Sequence, residues 1–235
     1  MTTQQSSRPD GVLYFIGGQL LFEHHNAQGA VVRKCLAPKA ARQAFTLEQT
    51  DSGWLSPRTI RIGENERGSW VIQRYDPARY RITLEEALPI PGQTFPRRTL
   101  HVWLPGMIFL GSHKDYYIWA YKAWKESATT LYRTPVPNIQ TNGKICFGDN
   151  HPSRAATDTI DTTWSLFWRS PFNHDLVAGK SQRYPDSILT LLARLHRNKH
   201  NSLNTFPQDD LTRSEMTMSK ILTQLNPQHR EDASR

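Results

Sequence analysis

The residues with the clearest capacity for chemistry lie in one turn-rich loop, residues 135–150, which contains Cys146. Within this loop, Asn142-Gly143 is a strong signal for a tight turn. The apolar residues beside Cys146 lead directly into the polar, flexible residues 148–150. The sequence therefore predicts that the thiol lies near the edge of a loop and not inside a strand.

An asparagine, Asn138, lies eight residues before Cys146. A thiolate can accept and donate acyl groups, and a side-chain amide can donate a hydrogen bond to the oxyanion that forms when an amine attacks a thioester. This pair therefore fits an acyl-carrier site. A cysteine hydrolase would instead need a histidine as base, for which His151 and His174 are candidates, but no papain-like or caspase-like signature surrounds Cys146.

The residues before the loop are rich in strand signals. A hairpin is predicted over residues 12–22 around Gly17-Gly18, and further strands are predicted over residues 30–35, 58–62, 69–75 and 80–84. Three aromatic and β-branched runs, residues 100–104, 107–111 and 116–121, predict an antiparallel meander that leads into the loop.

Helical patterns dominate after the loop. A short helix is predicted over residues 162–168, and an amphipathic helix is predicted from Pro185 to about residue 199. The final helix is predicted to open at the capping-box pattern of residues 212–215 and to end at Asn226-Pro227. One more helix is predicted before the main strands, over residues 38–49, where Pro38 supplies the start signal.

The order of strands, loop and helices predicts an α+β fold with one main core. Prolines two apart in residues 88–92 indicate a linker, because they exclude both a helix and a central strand. We place the domain boundary there. Residues 1–90 would form a β-rich N-terminal extension, and residues 91–235 would form the catalytic core with its C-terminal helices.

Composition narrows the class of protein. With 37% hydrophobic and 21% charged residues, the 235-residue chain has a globular composition. The polar N-terminus and the lack of a long apolar run lead us to expect a cytoplasmic protein without membrane contact. The net charge of +8 raises the question of nucleic-acid binding, but the basic residues are scattered and form no recognised binding motif, so we do not expect it.

The chain has only two cysteines, Cys35 and Cys146, too few for a disulfide framework and without the spacing of a zinc site. Each is therefore expected to be a free thiol. Cys35 ends a predicted strand among apolar neighbours, which predicts a position in or near the core.

One stretch resembles a known family. Pro137-Asn138-Ile139, followed by Gly143-Lys144-Ile145-Cys146, is similar to the active-site pattern of ubiquitin-conjugating enzymes, which is His-Pro-Asn-Ile, a short turn and Gly-x-Ile-Cys. Within that superfamily the chain most resembles prokaryotic ubiquitin-conjugating-like family D, as found in PRTRC plasmid cassettes and Bil-type antiphage operons. The resemblance is further supported by Leu131-Tyr132, Trp164, Phe167 and residues 170–174, and more weakly by residues 55–57 and 104–106. The resemblance is strong at the loop and weak elsewhere.

The resemblance implies a ubiquitin-conjugating-enzyme-like fold and a mechanism without a metal or organic cofactor. Cys146 would accept the C-terminal carboxyl of a ubiquitin-like protein from an activating enzyme, and would pass it to an amine of a target protein. Asn138 would stabilise the oxyanion or hold the loop. Val136 stands where the family pattern has a loop-ordering histidine, so other support for Asn138 is expected beside the loop.

The eukaryotic members of the superfamily also use an acidic group near the cysteine to position or deprotonate the incoming lysine. The candidates in this sequence are Asp149, His151 and His174, of which His174 matches a histidine of the family D motif. Two alternatives stay open: an inactive scaffold that binds a ubiquitin-like protein, and the cysteine hydrolase considered above.

Overall fold

Eleven strands and three α-helices form the described part of the chain. The computed structural model describes residues 11–17, 19–37, 53–90, 92, 94, 96–197 and 205–226. The strands are β1 Gly11–Ile16, β2 Gln19–His25, β3 Val31–Leu36, β4 Thr59–Asn65, β5 Gly68–Tyr75, β6 Ala78–Leu88, β7 Arg97–Leu104, β8 Gly106–Ser112, β9 Asp115–Tyr121, β10 Thr130–Arg133 and β11 Arg213–Thr217. The helices are α1 Ile160–Arg169, α2 Ile188–Arg197 and α3 Met218–Leu225.

Contacts divide the chain into two compact units, Met1–Ser52 and Gly53–Arg235. The strands on both sides of the predicted boundary at residue 90 thus lie in one unit. The functional division into residues 1–90 and 91–235 stays a prediction. The helix predicted over residues 38–49 lies outside the described residues.

The first unit contains an antiparallel sheet in the order β1-β2-β3. This confirms the predicted hairpin and the strand after it. No residue of these three strands is buried. The prediction that Cys35 lies in or near the core is therefore wrong: the thiol is exposed, because its apolar neighbours along the chain belong to a sheet that encloses no core within the described residues.

The second unit is built on a six-stranded antiparallel sheet in the order β11-β10-β9-β8-β5-β4. β6 and β7 form a separate two-stranded sheet. The predicted meander is therefore wrong in its first run, since β7 pairs with β6 and not with β8. The physical reason is the connection between β7 and β8, which consists of Pro105 alone and is too short for a hairpin.

Apolar side chains cover both faces of the six-stranded sheet. In β9, Tyr116 and Ile118 belong to a cluster with residues of α1 and α2, whereas Trp119 and Tyr121 belong to a cluster with residues of α3. This alternation follows from the two-residue period of a strand. One face of the sheet thus belongs to a core shared with α1, α2 and the β6-β7 sheet, and the other face belongs to a core shared with α3.

The first two helices after the loop are confirmed. α1 contains the predicted residues 162–168. α2 buries Ile188, Leu189, Leu191 and Leu192, as its amphipathic pattern predicted, but it begins at Ile188 and not at the predicted Pro185. Within the described part of the chain, no helix has the length and hydropathy needed to span a membrane.

The start of the last helix was predicted wrongly. Residues 213–217 form β11, which pairs with β10, and α3 begins only at Met218. Its N-cap is Thr217, whose side chain accepts a hydrogen bond from the backbone N–H of Lys220 at 3.2 Å. Most of the capping-box pattern of residues 212–215 lies in β11, an edge strand, where pairing with β10 determines the backbone conformation.

Candidate active site

The loop between β10 and α1 folds back onto the sheet beside β9. The N–H of Ile118 donates to the carbonyl of Gly143 at 2.8 Å, and the N–H of Ile145 donates to the carbonyl of Tyr116 at 2.9 Å. The later half of β9 pairs with β10, so its earlier half is free to pair with this part of the loop. The backbone just before Cys146 is therefore fixed to the central sheet.

The predicted Asn-Gly turn is present at the tip of the loop. Gly143 has a φ of 92°, and a Cβ added there would lie 2.3 Å from the indole Nε1 of Trp119. That indole donates a hydrogen bond to the carbonyl of Asn142 at 3.1 Å. Position 143 needs glycine both for its backbone conformation and for the close approach of Trp119.

The loop brings Asn138 and Cys146 together through their backbones. The N–H of Cys146 donates to the carbonyl of Asn138 at 2.8 Å, and Ile139 forms a bridge with Ile145. Cys146 is exposed, which confirms the predicted position of the thiol at the edge of a loop. Phe147 anchors the next position, because its ring makes edge contacts with Tyr116 and Phe167.

Asn138 occupies an unusual environment. Its φ of 59° lies in the left-handed region, which asparagine tolerates better than most residues. Its N–H donates to the carbonyl of Asp175 at 3.3 Å. Its side-chain oxygen is buried and has no hydrogen-bond partner among the described residues. Unsatisfied buried groups and left-handed residues both cluster at functional sites, where the surroundings hold them in place.

Val136, the position at which the resemblance led us to expect a histidine, is completely buried. Its carbonyl accepts a hydrogen bond from Nζ of Lys180 at 2.5 Å. Lys180 is only 2% exposed. Burial, with a smaller contribution from the charge of Arg133, lowers the pKa of Lys180 to about 7. Sequence reasoning missed this residue, since a lysine in a loop carries no local signal and the contact spans 44 residues.

Lys180 and Asp175 belong to one stretch, residues 173–187, which we call the support segment. Residues 181–183 of this segment are held by Asp210, which is fully buried. The carboxylate of Asp210 accepts hydrogen bonds from the hydroxyl of Ser181 at 2.6 Å and from the N–H of Arg183 at 2.7 Å. The support segment therefore packs beside the active-site loop and contacts it through Asp175 and Lys180.

Three candidates were expected to act on the incoming amine. Asp149 is exposed in the turn just after Cys146, and His151 is exposed two residues further along. His174 is exposed in the support segment, where its Nδ1 lies 3.8 Å from a carboxylate oxygen of Glu86. Within the described part of the chain, no hydrogen bond joins any of the three to Cys146. Among the described residues, Cys146 thus has no histidine partner of the kind that a cysteine hydrolase requires.

Lys144, two residues before Cys146, is paired with β9. Its Nζ lies 2.7 Å from a carboxylate oxygen of Asp115, and this hydrogen bond raises the pKa of Lys144. Across the described ranges, no group of three or more His, Cys, Asp or Glu side chains is placed to hold a metal ion.

Comparison with known families agrees with the geometry of the loop. The family model described as Prokaryotic E2 family D matches residues 34–214, which is more than half of the chain. No curated protein and no solved structure matches. The matched region includes Asn138, Cys146 and the support segment. An E2-like family supports an E2-like conjugation function at the family level and implies interaction with ubiquitin-like proteins and activating enzymes. The chain therefore belongs to prokaryotic E2 family D and is a bacterial E2-like protein, as the resemblance of its loop predicted.

Proposed function

We propose that this protein carries a ubiquitin-like protein as a thioester on Cys146 and transfers it to an amine of a target protein. The observation that supports this most directly is the exposed thiol of Cys146, whose backbone is hydrogen-bonded to Asn138 in a loop fixed to the sheet. An acyl carrier needs an accessible sulfur in a rigid frame, because both the donor and the acceptor are large proteins.

The reaction takes two steps, transfer of the acyl group to Cys146 and its transfer to an amine. The Cys146 thiolate attacks the thioester carbonyl on an activating enzyme, and a new carbon–sulfur bond forms. The old carbon–sulfur bond breaks, and the sulfur of the activating enzyme leaves as a thiolate. An amine then attacks the Cys146 thioester, an amide bond forms, and the Cys146 thiolate leaves. The amine must lose a proton in this second step.

Asn138 acts in the second step. Its side-chain amide donates a hydrogen bond to the oxyanion that develops when the amine attacks, and such donors are often worth several kcal/mol in the transition state. Asp149 and His174 position or deprotonate the amine. Asp149 is favoured by its place in the turn after Cys146, and His174 is favoured by its place next to Asp175, which holds the backbone of Asn138.

The proposed partners are a ubiquitin-like protein, an activating enzyme that carries out the ATP-dependent step, and a target protein. The pathway is a bacterial antiphage or plasmid-borne conjugation system. No organic cofactor takes part on this chain.

The test is incubation with the activating enzyme, ATP and the ubiquitin-like protein, followed by a non-reducing gel. The expected product is an adduct that thiol reductants remove. Cys146→Ala should abolish it, whereas Cys35→Ala should retain it, and the comparison is matched because both thiols are exposed. An adduct that persists in Cys146→Ala would contradict the proposal. Binding of the ubiquitin-like protein without any adduct would indicate a scaffold.

A further inference from the structure

The support segment buries a lysine amino group without a counter-ion. Lys180 is 2% exposed, and it forms no ion pair with a carboxylate of any described residue. Its charged neighbour is Arg133, which donates to the carbonyl of Gly179 and whose Nε is buried without a hydrogen-bond partner in the described structure. Burying an unpaired amino group is unfavourable, and a methionine of similar length would avoid this cost. The placement of Lys180 therefore requires a specific explanation.

The hydrogen-bond acceptor of Lys180 explains why a lysine is buried at this position. Its Nζ donates to the carbonyl of Val136, two residues before Asn138. Pro135 and Pro137 flank Val136 and have no N–H to donate, so this part of the loop has few backbone groups that can hold it. The carbonyl of Val136 is one of them, and Lys180 is bonded to it.

The support segment holds the loop on both sides of Pro137. Lys180 binds the carbonyl of Val136, and the carbonyl of Asp175 accepts the N–H of Asn138 at 3.3 Å. These two bonds set the path of the chain into Asn138, whose left-handed backbone needs external support. The carbonyl of Asn138 in turn accepts the N–H of Cys146.

We propose that Lys180 is a positioning residue for amine transfer, which holds the loop so that the Asn138 amide meets the oxyanion of the Cys146 thioester. This inference rests on the function proposed above. Lys180 does not touch the reacting atoms. It acts through the carbonyl of Val136 and the backbone of Asn138.

The proposal separates the two steps of the reaction. Formation of the thioester from a small peptide thioester makes little demand on the frame of the loop beyond an exposed thiol, so the loss of Lys180 should leave this step nearly unchanged. Attack by the amine needs the Asn138 amide in place, and a displacement of about 1 Å in such a group can slow a reaction by about a hundredfold. A general loss of folding would reduce both steps together.

The experiment uses the full chain with Cys35→Ser and a synthetic peptide thioester of mercaptoethanesulfonate that ends in Gly-Gly. Charging of Cys146 is followed by mass spectrometry, and discharge is followed after addition of free lysine. Lys180→Met should charge within about twofold of the parent and discharge about ten- to a hundredfold more slowly. The matched control is Lys220→Met, because Lys220 also donates to a backbone carbonyl, that of Glu215, but is exposed on α3. This control should behave as the parent.

A double-mutant cycle tests the route through Asn138. If Lys180 acts only by positioning the amide, Lys180→Met should have little further effect on discharge in a protein that already carries Asn138→Ala. Equal rates for Lys180→Met and the parent would overturn the proposal. The proposal would also be overturned if the losses in discharge rate from Lys180→Met and Asn138→Ala multiplied in the double variant, because the two residues would then act independently.

A second readout does not depend on acyl transfer. The backbone amides of Asn138 and Cys146 should exchange with deuterium faster in Lys180→Met than in the parent, and Lys220→Met should leave both rates unchanged. If the parent discharges no faster than Asn138→Ala, the proposed role of the Asn138 amide fails, and if the parent is never charged on Cys146, the proposed function fails. In either case the exchange rates still decide whether Lys180 holds the loop. Unchanged exchange in Lys180→Met would refute that role.

Discussion

The backbone N–H of Cys146 donates to the carbonyl of Asn138 at 2.8 Å, so the two residues that carry the proposed chemistry are joined directly. Loop residues 143–145 pair with β9 and hold the cysteine side of this bond, and the support segment holds the asparagine side. A change on either side should therefore alter the same geometry by a different route.

Two substitutions at Asn138 should affect stability and amine transfer differently. In Asn138→Gly the φ of 59° is no longer unfavourable, so the free energy of unfolding should be unchanged or slightly higher. Discharge to lysine should fall by about a hundredfold or more, because the side-chain amide is lost. Asn138→Ala should lose the same activity and also about 1 kcal/mol of stability. Chemical denaturation and single-turnover discharge measure the two effects. Full transfer activity in both variants would exclude a role for the amide.

Gly143 should be far more sensitive to substitution than Gly148. Both have positive φ, but an added Cβ at position 143 would lie 2.3 Å from Trp119, whereas position 148 has open space around it. Gly148→Ala should lose about 1 kcal/mol from its backbone conformation alone. Gly143→Ala should lose several kcal/mol and change the fluorescence of Trp119, since its hydrogen bond to Asn142 must break. Equal losses in the two variants would contradict the packing described here.

Lys180 should make stability depend on pH in a defined direction. Its pKa in the folded chain is about 7, below the ordinary value of 10.5, because burial and the charge of Arg133 disfavour the protonated form. Between these values the unfolded chain binds more protons than the folded one, so stability should rise with pH, by at most about 1.4 kcal/mol per pH unit. Below pH 7 both states are protonated, and the contribution of Lys180 should be constant.

The measurement compares the free energy of unfolding of the parent and of Lys180→Met from pH 6 to pH 9. The difference between the two proteins should change in favour of the parent as pH rises above 7. Other charged groups near the lysine are present in both proteins and should cancel, including Arg133 and Asp210, which bonds to the residue after Lys180. A difference that stays constant over this range would show that Lys180 does not titrate there.

Local chemistry made much of the loop predictable. The turn at Asn142-Gly143 follows from residues that accept a tight turn, and the strands and the helices α1 and α2 follow from periodicity within single segments. The family resemblance then indicated Asn138 and Cys146, which the structure places in backbone contact.

Pairing between distant segments could not be predicted in the same way. The partner of β7 depends on β6 and on the short connection at Pro105, and the residues taken for a capping box became β11 because β10 offered an edge. Lys180 is the clearest case, because nothing near it in sequence indicates that its amine meets the carbonyl of Val136. A local pattern contains no information on contacts of this kind.

The central claim is that Cys146 is an acyl carrier, and replacement of its sulfur by oxygen tests this most directly. With Cys35→Ser as background, the charging reaction is run on the parent and on Cys146→Ser and Cys146→Ala, and each product is analysed by intact mass and peptide mapping. The parent should gain one ubiquitin-like protein at residue 146 that a reductant removes, and Cys146→Ser should gain one that resists the reductant, as an oxygen ester does. Cys146→Ala should gain none. No adduct on the parent, or an adduct on Cys146→Ala, would contradict the account.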